Sequence, residues 1–303
     1  MSLEIKQVKT DKHNIYQREL MDKRIIPHHP SISLFSGSAG SGKSTLVANL
    51  LTSPLMYCGY FDAIFLLIGS LDDIYDDLIE KKIINKNHVI ENPEIPDLQK
   101  IIDMQKMAIT KAGNISKSPK ILVIMDDLAN NKKLLSSKPF LQLFVAGRHL
   151  NSSTWFLSQY LNLTPKNCRM QCNYLMLFKC NRSEMQLIYE QYCPPGLDKK
   201  EFNKIIMETT ADSKNSDGSK KINFMMICKA GAENQKFRRN LDEFIVLDGQ
   251  ETPELKYSAN IDIDAEKQMK KEIEQTINKN VQVEQQQMIM KPIQQKKKYI
   301  MDR

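Results

Sequence analysis

Gly37-Ser38-Ala39-Gly40-Ser41-Gly42-Lys43-Ser44-Thr45 is the stretch from which the rest of the chain is read. It fits the pattern G-x-x-x-x-G-K-[ST], a loop that cradles phosphates. Its glycines let the backbone wrap an anion and aim N–H groups inward. In that pattern Lys43 reaches the β- and γ-phosphates of ATP, and Ser44 offers a hydroxyl to Mg²⁺. The flanking sequence supports the reading. Ser31–Phe35 reads as a buried strand leading in, and Lys43–Leu51 as a helix leading out. The positive N-terminal end of that helix points at the same anion. Gly37 through Thr45 are therefore the nucleotide-binding candidates.

Further along, Lys120-Ile121-Leu122-Val123-Ile124-Met125-Asp126-Asp127 is an apolar strand that ends in two carboxylates. In a phosphate-loop enzyme, Asp126 would hold Mg²⁺ directly or through water, and Asp127 would polarise the attacking water as general base. Glu is more usual at the second place; the shorter Asp needs the water closer. The gap between Lys43 and Asp126 leaves room for a strand at Tyr60–Ile68. That fits the branch of ATPases with a catalytic acid and sheet order 5-1-4-3-2. In that branch a polar residue at the end of the fourth strand senses the γ-phosphate, and Thr154–Ser158 is followed there by Gln159. An amide both donates to phosphate and orients water. Charge developing on the transferred phosphoryl calls for a cation. Arg148, before the fourth strand, and Arg169, before the fifth, compete as a finger inserted into a neighbouring subunit's site; each also reads as a surface arginine. His149 reads as a helix-end residue.

Strands at Ser31–Phe35, Tyr60–Ile68, Ile121–Met125, Thr154–Ser158 and Tyr174–Phe178 alternate with helices at Lys43–Leu51, Asp72–Lys82, Asp97–Ala112 and Lys138–Leu150. Short apolar strands alternating with helices give a mainly parallel α/β sheet covered on both faces, a three-layer sandwich. Helices at Ser183–Tyr192 and Asp198–Thr210, a polar loop at Ala211–Lys221, and strands at Ile222–Cys228 and Phe244–Leu247 follow. Three parts are expected: an N-terminal arm at 1–30, an ATPase domain at 31–250, and a charged Gln/Lys-rich tail at 251–303. The tail is expected to be mobile or partly helical around Glu266–Asn280. His28 and His29 read as a solvated turn.

The formal charge is +7, and residues 266–303 carry nine Lys/Arg against five Asp/Glu, so much of the excess lies in the tail. That tail would touch a partner or keep the protein in solution. Six scattered cysteines suit reduced thiols in a cytosol-like compartment. Cys168-x₃-Cys172 lacks a second close ligand pair and is not read as a zinc site. The first residues are too polar for a signal peptide, and no apolar run reaches the ~18 residues of a membrane span.

The stretch Arg148-His149…Thr154-Trp155-Phe156-Leu157-Ser158-Gln159…Pro165…Asn167-Cys168-Arg169 resembles the FtsK–HerA superfamily of DNA-pumping ATPases. Together with the phosphate loop and the Asp126–Asp127 pair, it looks most like the genome-packaging ATPases of large double-stranded DNA viruses, the poxvirus-type family, with relatives in virophages and Polinton-like elements. The resemblance covers roughly residues 30–230. It implies an ATPase using ATP and Mg²⁺, and an oligomeric ring, a hexamer, that drives double-stranded DNA into a preformed capsid through a capsid or portal-vertex partner. It also implies residence in the host cytoplasm at sites of viral replication and assembly, or in the virion. Lys43, Ser44, Asp126, Asp127 and Gln159 carry over by position; the finger does not, because Arg148 and Arg169 compete. DNA contact would fall to Lys179, Arg182, Lys229, Lys236, Arg238 and Arg239. No nuclease motif follows, which argues against a two-domain terminase.

Other readings stay open. An AAA+ ATPase is the runner-up, because Ser183–Thr210 can be mistaken for its helical lid. A nucleotide kinase would use the same loop, but with an Arg-rich lid and without the paired acids. An ABC domain would need a Leu-Ser-Gly-Gly-Gln-like signature that residues 97–120 lack. A non-catalytic nucleotide switch is disfavoured by the intact Lys43, Ser44, Asp126 and Asp127.

Overall fold

The computed structural model describes residues 26–53, 56–214, 218 and 220–247. Most of the N-terminal arm and the whole tail, with its expected helix at Glu266–Asn280, lie outside these residues.

The chain alternates strand and helix: β1 (Ile32–Ser36), α1 (Lys43–Thr52), β2 (Ala63–Ile68), α2 (Asp73–Glu80), β3 (Val89–Glu91), α3 (Ile95–Ala112), β4 (Ile121–Asp126), α4 (Lys132–Leu135), α5 (Lys138–Val145), β5 (Ser152–Ser158), α6 (Lys166–Gln171), β6 (Tyr174–Leu177), α7 (Arg182–Tyr192) and α8 (Lys199–Thr209). Then come the short hairpin β7 (Ser213–Lys214) and β8 (Lys220–Lys221), followed by β9 (Met225–Cys228), β10 (Phe237–Arg239) and β11 (Glu243–Phe244). Nine strands form one sheet in the order β11-β10-β9-β6-β1-β5-β4-β2-β3. The five expected strands stand as β6-β1-β5-β4-β2, which is the order 5-1-4-3-2, and all pair in parallel. The C-terminal strands β9, β10 and β11 extend the sheet antiparallel beyond β6.

Parallel strands buried on both faces need apolar residues on both faces. Leu34, Leu67, Val123 and Phe156 pack into the layer formed by α3, α5, α7 and α8. Phe35, Ile68, Ile124 and Trp155 pack into the layer formed by α1 and α2. The register fixes the site. Ser36 pairs with Ser158, and Met125 with Phe156, so the residues after β1, β4 and β5 leave the sheet along one edge.

Several local expectations are corrected. The helix expected to run to Leu150 stops at Val145, and Gly147–Leu150 forms a 3₁₀ turn. A side chain at Gly147 would meet the Ser152 carbonyl oxygen at 2.9 Å, too close for a residue other than glycine in this turn. β2 starts at Ala63 rather than Tyr60, because Tyr57, Tyr60 and Phe61 gather instead around His29 and Trp155. His29 is no solvated turn residue: its Nδ1 lies 2.8 Å from Ser153 Oγ and its Nε2 3.0 Å from Asn151 Oδ1, so it fixes the start of β5. The late strand begins at Met225 rather than Ile222, and the last one occupies Glu243–Phe244. β3, α4, α6 and β10 were not expected.

Candidate functional site

The phosphate loop runs from the end of β1 into α1. Gly37 is needed for close approach, since a Cβ there would lie 2.5 Å from Phe178 Cβ. Gly42 caps α1 at φ 102°, in the left-handed region where glycine carries no steric penalty. Inside the loop, Lys43 is buried and donates from Nζ to the carbonyl oxygens of Gly37 at 2.7 Å and Ser38 at 3.1 Å. Ser41 Oγ is buried with no hydrogen-bond partner among the described residues. A buried unpaired hydroxyl beside a lysine that has only backbone carbonyls to hold suits a loop built for an anion.

Ser44 donates from Oγ to Asp126 Oδ2 at 3.1 Å. A hydroxyl and a carboxylate side by side form a hard oxygen pair that fits Mg²⁺. The same Oδ2 accepts a 2.8 Å hydrogen bond from the hydroxyl of Tyr75, a buried residue of α2. Asp72 caps that helix, accepting from the N–H groups of Ile74 and Tyr75, and so sets the ring's position. Burial pushes the Asp126 carboxyl above the ordinary carboxylate range, while the bonds from Tyr75 and Ser44 and the charge of Lys43 hold it back. Burial also lowers Lys43, opposed by Asp126 and Asp127. The Tyr75 hydroxyl is pushed well above its usual range, first by burial and then by Asp126, so it stays a donor.

Asp127 is exposed and takes a left-handed backbone with φ 54°. Left-handed geometry is unusual for a residue other than Gly, and Asp is among those that tolerate it. The turn aims the carboxylate away from the strand, where Gln159 Nε2 donates to Asp127 Oδ1 at 3.1 Å. The structure thus brings Lys43, Ser44, Asp126, Asp127 and Gln159 together at one edge of the sheet.

The two arginine candidates part company. Arg148 is exposed in the 3₁₀ turn before β5, at the opposite edge of the sheet from Gln159. It borders a cavity of about 240 Å³ with Pro30, Val145 and Gln171. Arg169 is corrected as a finger: it is only 7% exposed. Its Nη1 donates to the carbonyl oxygens of Leu161 and Thr164, staking down the turn after β5. His149 is exposed in the same turn as Arg148. Among the basic residues considered for DNA, Arg238 is buried and donates to the Leu241 carbonyl. Lys229 donates to the carbonyls of Arg169 and Met170, and Lys179 pairs with Asp212 at 2.9 Å. Arg182 stays exposed at the start of α7.

Two residues of the site were missed from sequence. Tyr75 reads as one more apolar position of an amphipathic helix, and nothing near it signals the contact with Asp126. Glu184 is buried where the ends of β1 and β5 meet α7; it accepts from Leu161 N at 2.9 Å and Asn181 N at 3.1 Å, and Ser36 Oγ lies 3.4 Å away. Here a signal existed: Asn181-Arg182-Ser183-Glu184 is a capping box, with the side chain of each end bonded to the backbone of the other.

No group of three or more His, Cys, Asp or Glu side chains that could hold a metal occurs among the described residues, and no helix of theirs is long and apolar enough to cross a membrane.

A family model described as Poxvirus A32 protein matches residues 21–250. The chain is 28% identical over 159 residues to an uncharacterized protein, 075L, of Invertebrate iridescent virus 6, an alignment that takes in 52% of this chain and 57% of the relative, so it spans little more than half of that protein's length. Among solved structures, the genome packaging NTPase B204 of Sulfolobus turreted icosahedral virus 2, in complex with sulfate, is similar at TM-score 0.48 and 13% identity, covering 71% of this chain and 97% of that one. The same NTPase in complex with ATP-gammaS aligns at TM-score 0.45 and 13% identity, covering 70% and 96%. ATPases 2 and 3 of EssC from Geobacillus thermodenitrificans align at TM-score 0.47 and 12% identity, covering 85% of this chain and 44% of that one. With the fold and nucleotide motifs of a P-loop ATPase, and a family match over most of its length, the chain belongs to the poxvirus A32 protein family.

Proposed function

We propose that the protein is an ATPase that drives double-stranded DNA into a viral capsid, working as a ring of identical subunits. The observation that carries the catalytic half is the bond from Gln159 Nε2 to Asp127 Oδ1 at 3.1 Å, beside the Ser44–Asp126 pair. It joins the residue placed to sense the γ-phosphate to the residue placed to activate water. Lys43 and the loop N–H groups would bind the phosphates, and Mg²⁺ held by Ser44 and Asp126 would neutralise developing charge. Asp127 Oδ2 would take the proton of an attacking water, while Gln159 holds the other oxygen and fixes the carboxylate plane.

Arg148 supports the ring. Its position before β5 takes it out of reach of its own nucleotide, and its exposure leaves it open to a neighbour's. The DNA and capsid parts rest on the family and on the resemblance at Arg148–Arg169. Localisation at viral assembly sites in the host cytoplasm belongs to the same proposal. The experiment is turnover with and without double-stranded DNA. Stimulation by DNA supports the packaging motor; phosphate transfer to a small acceptor would move the assignment to a nucleotide kinase, and turnover indifferent to DNA to an AAA+-type partner ATPase.

A further inference from the structure

A nucleotide brings a sugar and a base as well as phosphates, and the loop at Gly37–Thr45 places only the last. We propose that the base, an adenine, enters the cavity between α1 and the C-terminal segment Ile222–Asp242. This rests on the ATPase reading of the phosphate loop and adds the part of the site that selects the nucleotide.

Two cavities flank the loop on the β6 side. One, of about 240 Å³, is walled by Ser38–Ser41, Lys179 and Lys221 and is polar and charged, which suits phosphate or sugar. The other, of about 310 Å³, has apolar walls in Leu46, Met56, Ile222, Phe224 and Leu241 and a polar rim at Asn49, Asn240 and Asp242. Small-molecule sites of roughly 300–1,000 Å³ are built this way, with apolar walls for the flat face and a few polar groups for orientation. Ile222 joins the two cavities. A Cβ on Gly42 would lie 2.8–2.9 Å from three carbons of the Ile222 side chain, so this residue leans directly on the phosphate loop. Asn49 lies six residues beyond Lys43 on α1, about 9 Å along the axis from the loop.

The rim carries the hydrogen-bonding pair that an adenine edge needs. Asn49 Nδ2 donates to Thr45 O at 2.8 Å, which leaves its Oδ1 to accept from an exocyclic amine. Asn240 is pinned to β9's approach: its N–H donates to Phe224 O at 2.8 Å and its Oδ1 accepts from Phe224 N at 3.1 Å. That leaves its Nδ2 to donate to a ring nitrogen, the amide-to-adenine complementarity seen in base recognition generally.

The test compares ADP with pyrophosphate, which has the same phosphates and no base, by calorimetry on the full chain. ADP is expected to bind at least about tenfold tighter. Leu241→Ala, which touches only the apolar cavity, is expected to weaken ADP about five- to tenfold and pyrophosphate less than about twofold. In Asn49→Cys, an exposed position, alkylation of the new thiol by iodoacetamide is read at residue 49 by mass spectrometry; ADP is expected to protect it and pyrophosphate not. Equal affinity for the two ligands, or unprotected Cys labelling at saturating ADP, overturns the proposal and leaves the cavity to another occupant, such as a segment from residues 248–303. If neither ligand binds, the ATPase reading falls and the base site falls with it. If pyrophosphate binds as tightly as ADP, the phosphate loop stands and the base site does not.

Discussion

Strand β5 carries different chemistry at its two ends. At its carboxyl end, Gln159 meets Asp127, close to Lys43, Ser44 and Asp126. At its amino end, His29 and Asn151 lock the strand into the fold, and Arg148 stands exposed beside them. Seven residues of extended chain, roughly 23 Å, separate the two. The first set can act on a nucleotide held by its own chain. Arg148, at the far end of the strand, would act on one held by another copy in the proposed ring. In the proposed ring the site would have its own acid, amide and lysine and take its cation for the transition state from a neighbour.

That contrast is broken or sharpened by substitution. Lys43→Ala should cause the largest loss, roughly 10³-fold or more in ATP turnover, because it removes the charge that grips the transferred phosphoryl. Asp127→Asn should cost about 10²–10³-fold while leaving ATP bound, as filter binding against turnover would show. Arg148→Ala should cost at least about 10²-fold without weakening nucleotide binding. An equal mixture of the Lys43→Ala and Arg148→Ala proteins should then regain turnover, since a lysine-deficient subunit still offers Arg148 to a neighbour's intact loop. Mixtures no more active than either protein alone would place the arginine outside catalysis.

The two arginines should also differ in stability. Arg169→Ala leaves the buried Thr164 carbonyl without its side-chain partner, while the Leu161 carbonyl keeps the Thr164 N–H, and should cost about 1–3 kcal/mol by urea unfolding. Arg148→Ala, at an exposed position, should stay within about 0.5 kcal/mol.

A stability effect smaller than that of Arg169 concerns Asp126. Burial raises its carboxyl above the unfolded value, so the ionised form costs stability in the nucleotide-free protein. Stability from this group is present at low pH and is lost as pH rises from the ordinary carboxylate range through the raised value. Asp126→Asn should remove that dependence and raise the melting temperature by about 1–4 °C at neutral pH, while abolishing Mg²⁺-dependent turnover. An unchanged or lower melting temperature would show that the bonds from Tyr75 and Ser44 already offset the burial.

Much of this arrangement was legible in the sequence because its causes are local. The loop Gly37–Thr45, the acids after an apolar strand, and Gln159 after another are each short patterns whose chemistry follows from order and spacing. The sheet order followed from the branch of phosphate-loop ATPases that the extra strand between Lys43 and Asp126 fits. What was not legible depends on chain segments far apart in sequence meeting in space. Tyr75 reaches Asp126 across 51 positions, and His29 reaches Ser153 across 124. Arg169 and Arg238 look like surface cations in sequence, yet one stakes down a turn and the other is buried against Phe244. Short elements such as β3 and α4 carry too few residues for a periodic signal, so packing against neighbours decides them.

The most direct test of the central claim is ATP hydrolysis measured with and without double-stranded DNA over a protein concentration series. Turnover per subunit should rise with DNA and steepen with concentration, as expected when each site waits for an Arg148 from the next copy. Turnover that is independent of both DNA and concentration would contradict a ring-forming DNA motor.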